Sequence, residues 1–93
     1  MKHYWSKKAE KDLDKIYLYA EANFSSELAL HIYYKIKATV SQLESFPELG
    51  RKIGDHFLKR YLVVDGNIIL YEIVLGKAPM VIIRSIRPRK ETQ

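Results

Sequence analysis

Cysteine is absent from the 93 residues, which removes disulfide staples and thiolate chemistry together. That fits a reducing compartment, and the cytoplasm is the expected location. No apolar run approaches the roughly 20 residues of a membrane span, and no membrane partner is expected. The N-terminus lacks the continuous apolar core of a signal peptide. No repeat, low-complexity tract or linker divides the chain, so residues 1–93 read as one domain with a two-layer core. Glycine-rich phosphate loops, paired carboxylates and metal-ligand spacings are all missing. The three histidines, His3, His31 and His56, fall in different parts of the sequence. They predict neither a metal site nor a histidine general base, and His31 reads as a surface or boundary residue. No cofactor is implied.

Hydrophobic residues make up 47% and charged residues 29%, an ordinary globular balance. The net charge of +5 is unevenly placed. Residues 1–46 carry 7 basic and 6 acidic side chains, residues 47–93 carry 9 and 5. Arg84, Arg87, Arg89 and Lys90 follow one another without an intervening acid. Such a cluster suits an anionic partner, either nucleic acid or an acidic protein segment, or else a solvated tail.

The C-terminal third organises the chain. Phe57–Val64, Asn67–Leu75 and Met80–Arg87 are runs rich in β-branched and aromatic residues, which pack well on a pleated surface. Asp65-Gly66 tolerates positive φ and predicts a tight hairpin, and Gly76 to Pro79 makes a second turn. An antiparallel three-stranded meander follows. By alternation, Leu58, Arg60, Leu62 and Val64 share one side of the first strand, and Met80, Ile82, Arg84 and Ile86 share one side of the third. If helices cover one face, the other can display Arg60, Arg84 or Arg87 together with tyrosines.

Upstream, Lys2–Trp5 reads as a brief strand. Ser6 is a candidate N-cap for a helix ending near Ala22-Asn23, with Ala9, Leu13, Ile16 and Ala20 as its apolar stripe. Ser25-Ser26 starts a second helix, to about Ser45, whose stripe is Leu28, Ile32, Ile36, Val40 and Leu43. Pro47 and Gly50 close it. Residues 51–56 read as a polar connection. The fold class is α/β (α+β): a short strand, a helical hairpin and a meander in two layers.

From Tyr4 to Glu91 the chain resembles the ParE/RelE superfamily of toxins from type II toxin–antitoxin systems, the ParE branch most closely. The resemblance rests on Trp5-Ser6-Lys7-Lys8-Ala9-Glu10-Lys11-Asp12-Leu13-Asp14-Lys15-Ile16 with Tyr19, then Leu43, Phe46-Pro47 and Leu49-Gly50-Arg51. It continues with Arg60, Val63-Val64, Ile69-Leu70-Tyr71-Glu72, Ile82-Ile83-Arg84-Ser85-Ile86 and Arg87-Pro88-Arg89-Lys90-Glu91. It implies a cognate antitoxin as partner and DNA gyrase as target, with Arg51, Arg60, Arg84, Arg87, Arg89 and Lys90 as target- or antitoxin-binding residues. The alternative within the superfamily is a ribosome-dependent mRNA endoribonuclease, with ribosome and mRNA as partners and Arg60, Tyr71, Arg84 and Arg87 as its site. Many relatives carry histidine where this chain has Arg87. A guanidinium cannot accept a proton near neutrality, which speaks against acid–base cleavage.

Overall fold

The computed structural model describes residues 1–88. Ser6 does cap α1 (Lys7–Asn23), its hydroxyl accepting from the Ala9 N–H at 3.0 Å. Ser25 caps α2 (Ser26–Ser41) in the same way, accepting from the Leu28 N–H. A 3₁₀ turn, Gln42–Glu44, replaces the last turn expected of α2, because the Gln42 N–H is shared between Thr39 and Val40 carbonyls and the backbone tightens. The strands are β1 (Lys2–Trp5), β2 (Arg51–Ile53), β3 (His56–Val64), β4 (Asn67–Val74) and β5 (Met80–Pro88).

They form one mixed sheet in the order β1-β5-β4-β3-β2, with β1 parallel to β5 and every other pair antiparallel. The meander is therefore larger than expected. Residues 51–53 are not a bare connection but an edge strand, with Arg51 opposite Tyr61 and Lys52 opposite Arg60. Polar side chains hid it, since an edge strand needs no apolar face of its own. Asp65 and Gly66 both take positive φ, 48° and 79°, as the β3–β4 hairpin requires. Lys35 on α2 reaches the Asp65 carboxylate at 2.9 Å and ties that turn to the helical layer.

The helices cover one side of the sheet. Leu13, Ile36, Val40 and Leu43 pack there with Ile69, Tyr71, Ile73, Val81, Ile83 and Ile86. Leu28, placed in the α2 stripe by its spacing, is exposed, and Ala29 is buried instead. A second correction concerns β5. Leu70 pairs with Ser85 but Tyr71 with Ile83, so Arg84 is an extra, bulged residue. The bulge inverts the side-chain alternation. Ile86 consequently joins Val81 and Ile83 under the helices rather than Ile82 and Arg84 on the opposite side.

Only the first half of β5 has β1 beside it. From the Ile83 carbonyl onward, Ser6 and the first turns of α1 take over its outer edge. Ser6 donates its N–H to the Ile83 carbonyl (2.9 Å) and its hydroxyl to the Arg84 carbonyl (3.0 Å). Asp12 accepts the Ile86 N–H at 2.9 Å. Its carboxylate is 11% exposed and also receives Lys8 Nζ at 3.0 Å.

Two substitutions test this packing by denaturant unfolding. Ile36→Ala removes a side chain with no exposed surface and is expected to lose about 2–5 kcal/mol. Asp12→Ala strands the buried Ile86 N–H and is expected to lose about 1–3 kcal/mol. Asp12→Asn keeps an acceptor oxygen and is expected to lose less.

Candidate functional site

Tyr71 and Arg60 face each other across β3 and β4 on the helix side of the sheet. Both are buried, at 1% and 6% exposure. The Tyr71 hydroxyl donates to the Pro47 carbonyl at 2.7 Å and accepts the Gly50 N–H at 2.8 Å. Arg60 donates Nη1 to the Gly50 carbonyl (2.8 Å) and Nε to the Phe57 carbonyl (2.9 Å), with its guanidinium 4.6 Å from the Phe57 ring centroid. Its charge is met by carbonyl dipoles rather than by a carboxylate. Together the two side chains fasten residues 47–50 to the sheet. Gly50 fits only because it lacks a Cβ, which would lie 2.6 Å from the Tyr61 carbonyl oxygen and 2.8 Å from the Tyr71 hydroxyl.

The other side of the sheet carries Arg51, Arg84 and Arg87. Arg84, swung out by the bulge, donates Nε and Nη2 to one Glu72 oxygen at 3.1 and 2.8 Å. Arg51 and Arg87 line one groove of about 880 Å³, whose apolar lining includes Leu49, Ile53, Val63, Ile68 and Leu70. Tyr61 and Lys52 also line it. An apolar floor between guanidinium groups suits a ligand that is anionic at its edges and apolar at its centre.

The residues singled out from sequence are thus divided. Arg51, Arg84 and Arg87 share the uncovered side. Arg60 does not join them, nor does Tyr71, because both are consumed in holding the 47–50 loop. Arg89 and Lys90 lie outside the described residues. His3 pairs with Glu44 at 2.7 Å beside β1, His31 stands on α2, and His56 opens β3. No three His, Asp or Glu side chains converge as a metal site would need among the described residues. Sequence reasoning missed Asp12, to which it gave no structural role, and Glu72 as the acid facing Arg84. For Asp12 the available signal is its position directly before Leu13, next to the apolar stripe. For Glu72 it is the acid lodged in an apolar strand.

A helical hairpin on one side of a five-stranded mixed sheet, with a basic-rimmed groove on the other, defines a two-layer α/β fold. The family model for the ParE toxin of the type II toxin–antitoxin system parDE matches residues 4–92, and the chain belongs to this family. A solved structure described as the chromosomal ParDE toxin–antitoxin system from P. aeruginosa is similar, at 25% identity over 97% of each chain and a TM-score of 0.78. No curated protein matches the chain significantly.

Burial pushes the Tyr71 hydroxyl above its ordinary value of 10.0, against the opposing pull of the Gly50 N–H and the Arg60 guanidinium. A pKa raised on folding contributes stability that is fully present below pH 10 and is lost as pH rises through the folded value. Tyr71→Phe is expected to lose about 1–3 kcal/mol near neutrality, because it strands a buried N–H and a carbonyl. It should also flatten the alkaline limb of stability above pH 10, read from urea midpoints across pH.

Proposed function

We propose that this ParE-family toxin acts on DNA gyrase as a binding poison and that a cognate antitoxin neutralises it by covering the basic side of the sheet. One observation carries this reading. The uncovered side brings together guanidinium groups without a histidine among them, and Tyr71, the tyrosine of the ribonuclease alternative, is buried on the opposite side with its proton held more tightly than usual. General acid–base cleavage of RNA calls for a group that titrates near the working pH. Guanidinium groups bind and orient anions without exchanging protons. Family membership supports the antitoxin, and the ParDE system with the similar fold supports a two-protein unit.

The antitoxin segment expected on this side is acidic and apolar. Acids would meet Arg51 and Arg87, and apolar anchors would enter the groove between them. Charge complementarity speeds such an encounter, while the buried anchors supply much of the affinity.

Purified protein is to be assayed in parallel for gyrase supercoiling with cleavage-complex formation and for mRNA cleavage on translating ribosomes. Inhibition of gyrase without mRNA cuts is the expected result. Codon-positioned cuts without an effect on gyrase would establish the ribonuclease reading instead. Replacing Arg84 and Arg87 by glutamine should abolish growth arrest on induction while circular dichroism stays native, because exposed charges contribute little stability. Full toxicity in the folded double variant would remove the basic side from the mechanism.

A further inference from the structure

Away from the basic side, a pocket of about 270 Å³ opens between the end of β1, α1 and α2. Its walls include the rings of Trp5 and Tyr33, and α1 contributes Glu10 and Asp14, one turn apart. Lys37, one turn beyond Tyr33 on α2, lays its ammonium 5.3 Å from the Trp5 ring centroid and 5.6 Å from that of Tyr33. Tyr17 and Tyr34 meet Tyr33 edge to face at 6.0 and 5.3 Å and hold its ring in place. Among the described residues, Glu10 and Asp14 pair with no cation and Lys37 with no carboxylate. Resting on the gyrase reading above, we infer that this pocket receives an arginine side chain of the protein that the toxin poisons.

The chemistry of the walls selects a cation. Aromatic faces attract positive charge through the ring quadrupole, and the Lys37 ammonium already stands where a ligand's charge would stand. One ammonium against two carboxylates leaves the pocket a surplus of negative charge, in a chain whose net charge is +5. Lys37 is itself exposed, so its flexible stem can swing out and yield the ring faces. A guanidinium uses the site more fully than an ammonium does. Its plane stacks on a ring, it is weakly hydrated, and its forked donors can reach carboxylates on either side. A hard metal ion would find rings where it needs oxygen ligands. An acidic segment would be repelled by Glu10 and Asp14.

The surroundings of the pocket favour a cation carried by a protein over a free amine. Tyr34, in contact with Tyr33, is 63% exposed, and Leu30, one turn before it on α2, is 43% exposed. A small amine would leave these side chains in water, whereas a protein surface around an inserted arginine would cover them. The pocket also differs in sign from the groove between Arg51 and Arg87. An acidic partner on the sheet and a basic one on the helices would therefore each be turned away from the other's place.

Trp5 is the sole tryptophan, so its fluorescence reports on the pocket in the full chain. The probe is N-acetylarginine amide, titrated against sodium chloride at equal ionic strength. A saturable change with the probe alone is expected. Its affinity should fall at least about threefold in Glu10→Gln/Asp14→Asn and rise about threefold in Lys37→Met, which removes the competing ammonium. Circular dichroism checks that both variants keep the native fold. No saturable change in the wild type, or an affinity that neither variant shifts, would overturn the site. In the gyrase supercoiling assay, the Glu10→Gln/Asp14→Asn toxin should need at least about threefold more protein for half inhibition. Undiminished inhibition by this variant, with probe binding lost, would overturn the assignment to the target and leave a site for a free cation. A dimer in sedimentation that the same variant abolishes would give the arginine to a second copy of the chain and likewise overturn that assignment. Failure of the wild type to inhibit gyrase would remove the gyrase reading and the assignment to the target with it, while the fluorescence titration would still decide whether the pocket takes a guanidinium.

Discussion

The outer edge of β5 is the constraint on which the rest of the molecule depends. β5 lies between β4 and β1, but β1 has only four residues and runs out at Trp5. A buried strand edge without partners is expensive, because each stranded N–H or carbonyl loses its hydrogen bond to water. The chain meets this demand with the residues that follow β1 directly. Ser6 bonds to Ile83 and Arg84 while capping α1, and Asp12, less than two turns into the helix, completes Ile86. The same two residues thereby fix where α1 starts, how it lies on the sheet and which side of the sheet becomes the core.

The bulge at Arg84 belongs to the same solution. Without it, strict alternation would send Ile86 and Arg84 to the same side, leaving an isoleucine on the basic side or a guanidinium in the core. One extra residue lets Val81, Ile83 and Ile86 all face the helices while Arg84 reaches Glu72. Bulges often re-aim a side chain in this way. Here the re-aimed group is a cation on the side where Arg51 and Arg87 also lie.

Arginine consequently does two kinds of work in this protein. Arg60 is structural: a buried guanidinium tolerated because three carbonyls and an aromatic face receive it, and because it pins the loop that Tyr71 also holds. Arg51, Arg84 and Arg87 are presented to solvent, two of them across an apolar groove. The division separates the residues that secure the ParE fold from those available to a partner, within one set of arginines that a linear sequence makes look alike.

The elements themselves were legible in the sequence because each rests on local chemistry. Hydroxyl caps at Ser6 and Ser25, the positive-φ pair Asp65-Gly66 and the β-branched runs act over a few residues, so spacing alone reveals them. The family resemblance, carried by ordered short motifs along the chain, was legible for the same reason. The α2 stripe was partly legible: Ile36, Val40 and Leu43 are buried as their period requires, while Leu28 overhangs into solvent. Tertiary structure decided what local periodicity cannot encode. A bulge changes parity without changing composition, so the sides occupied by Ile86 and Arg84 could not be read by counting alternate residues. The edge strand Arg51–Ile53 is polar in itself and exists because β3 offers it backbone partners. Whether Arg60, Tyr71 and Asp12 face solvent or the interior depended on which distant carbonyls and N–H groups the fold brought to them: Pro47 and Gly50 for the first two, Ile86 for the third. Local sequence set the elements, and long-range hydrogen-bond satisfaction set the roles of the polar residues within them.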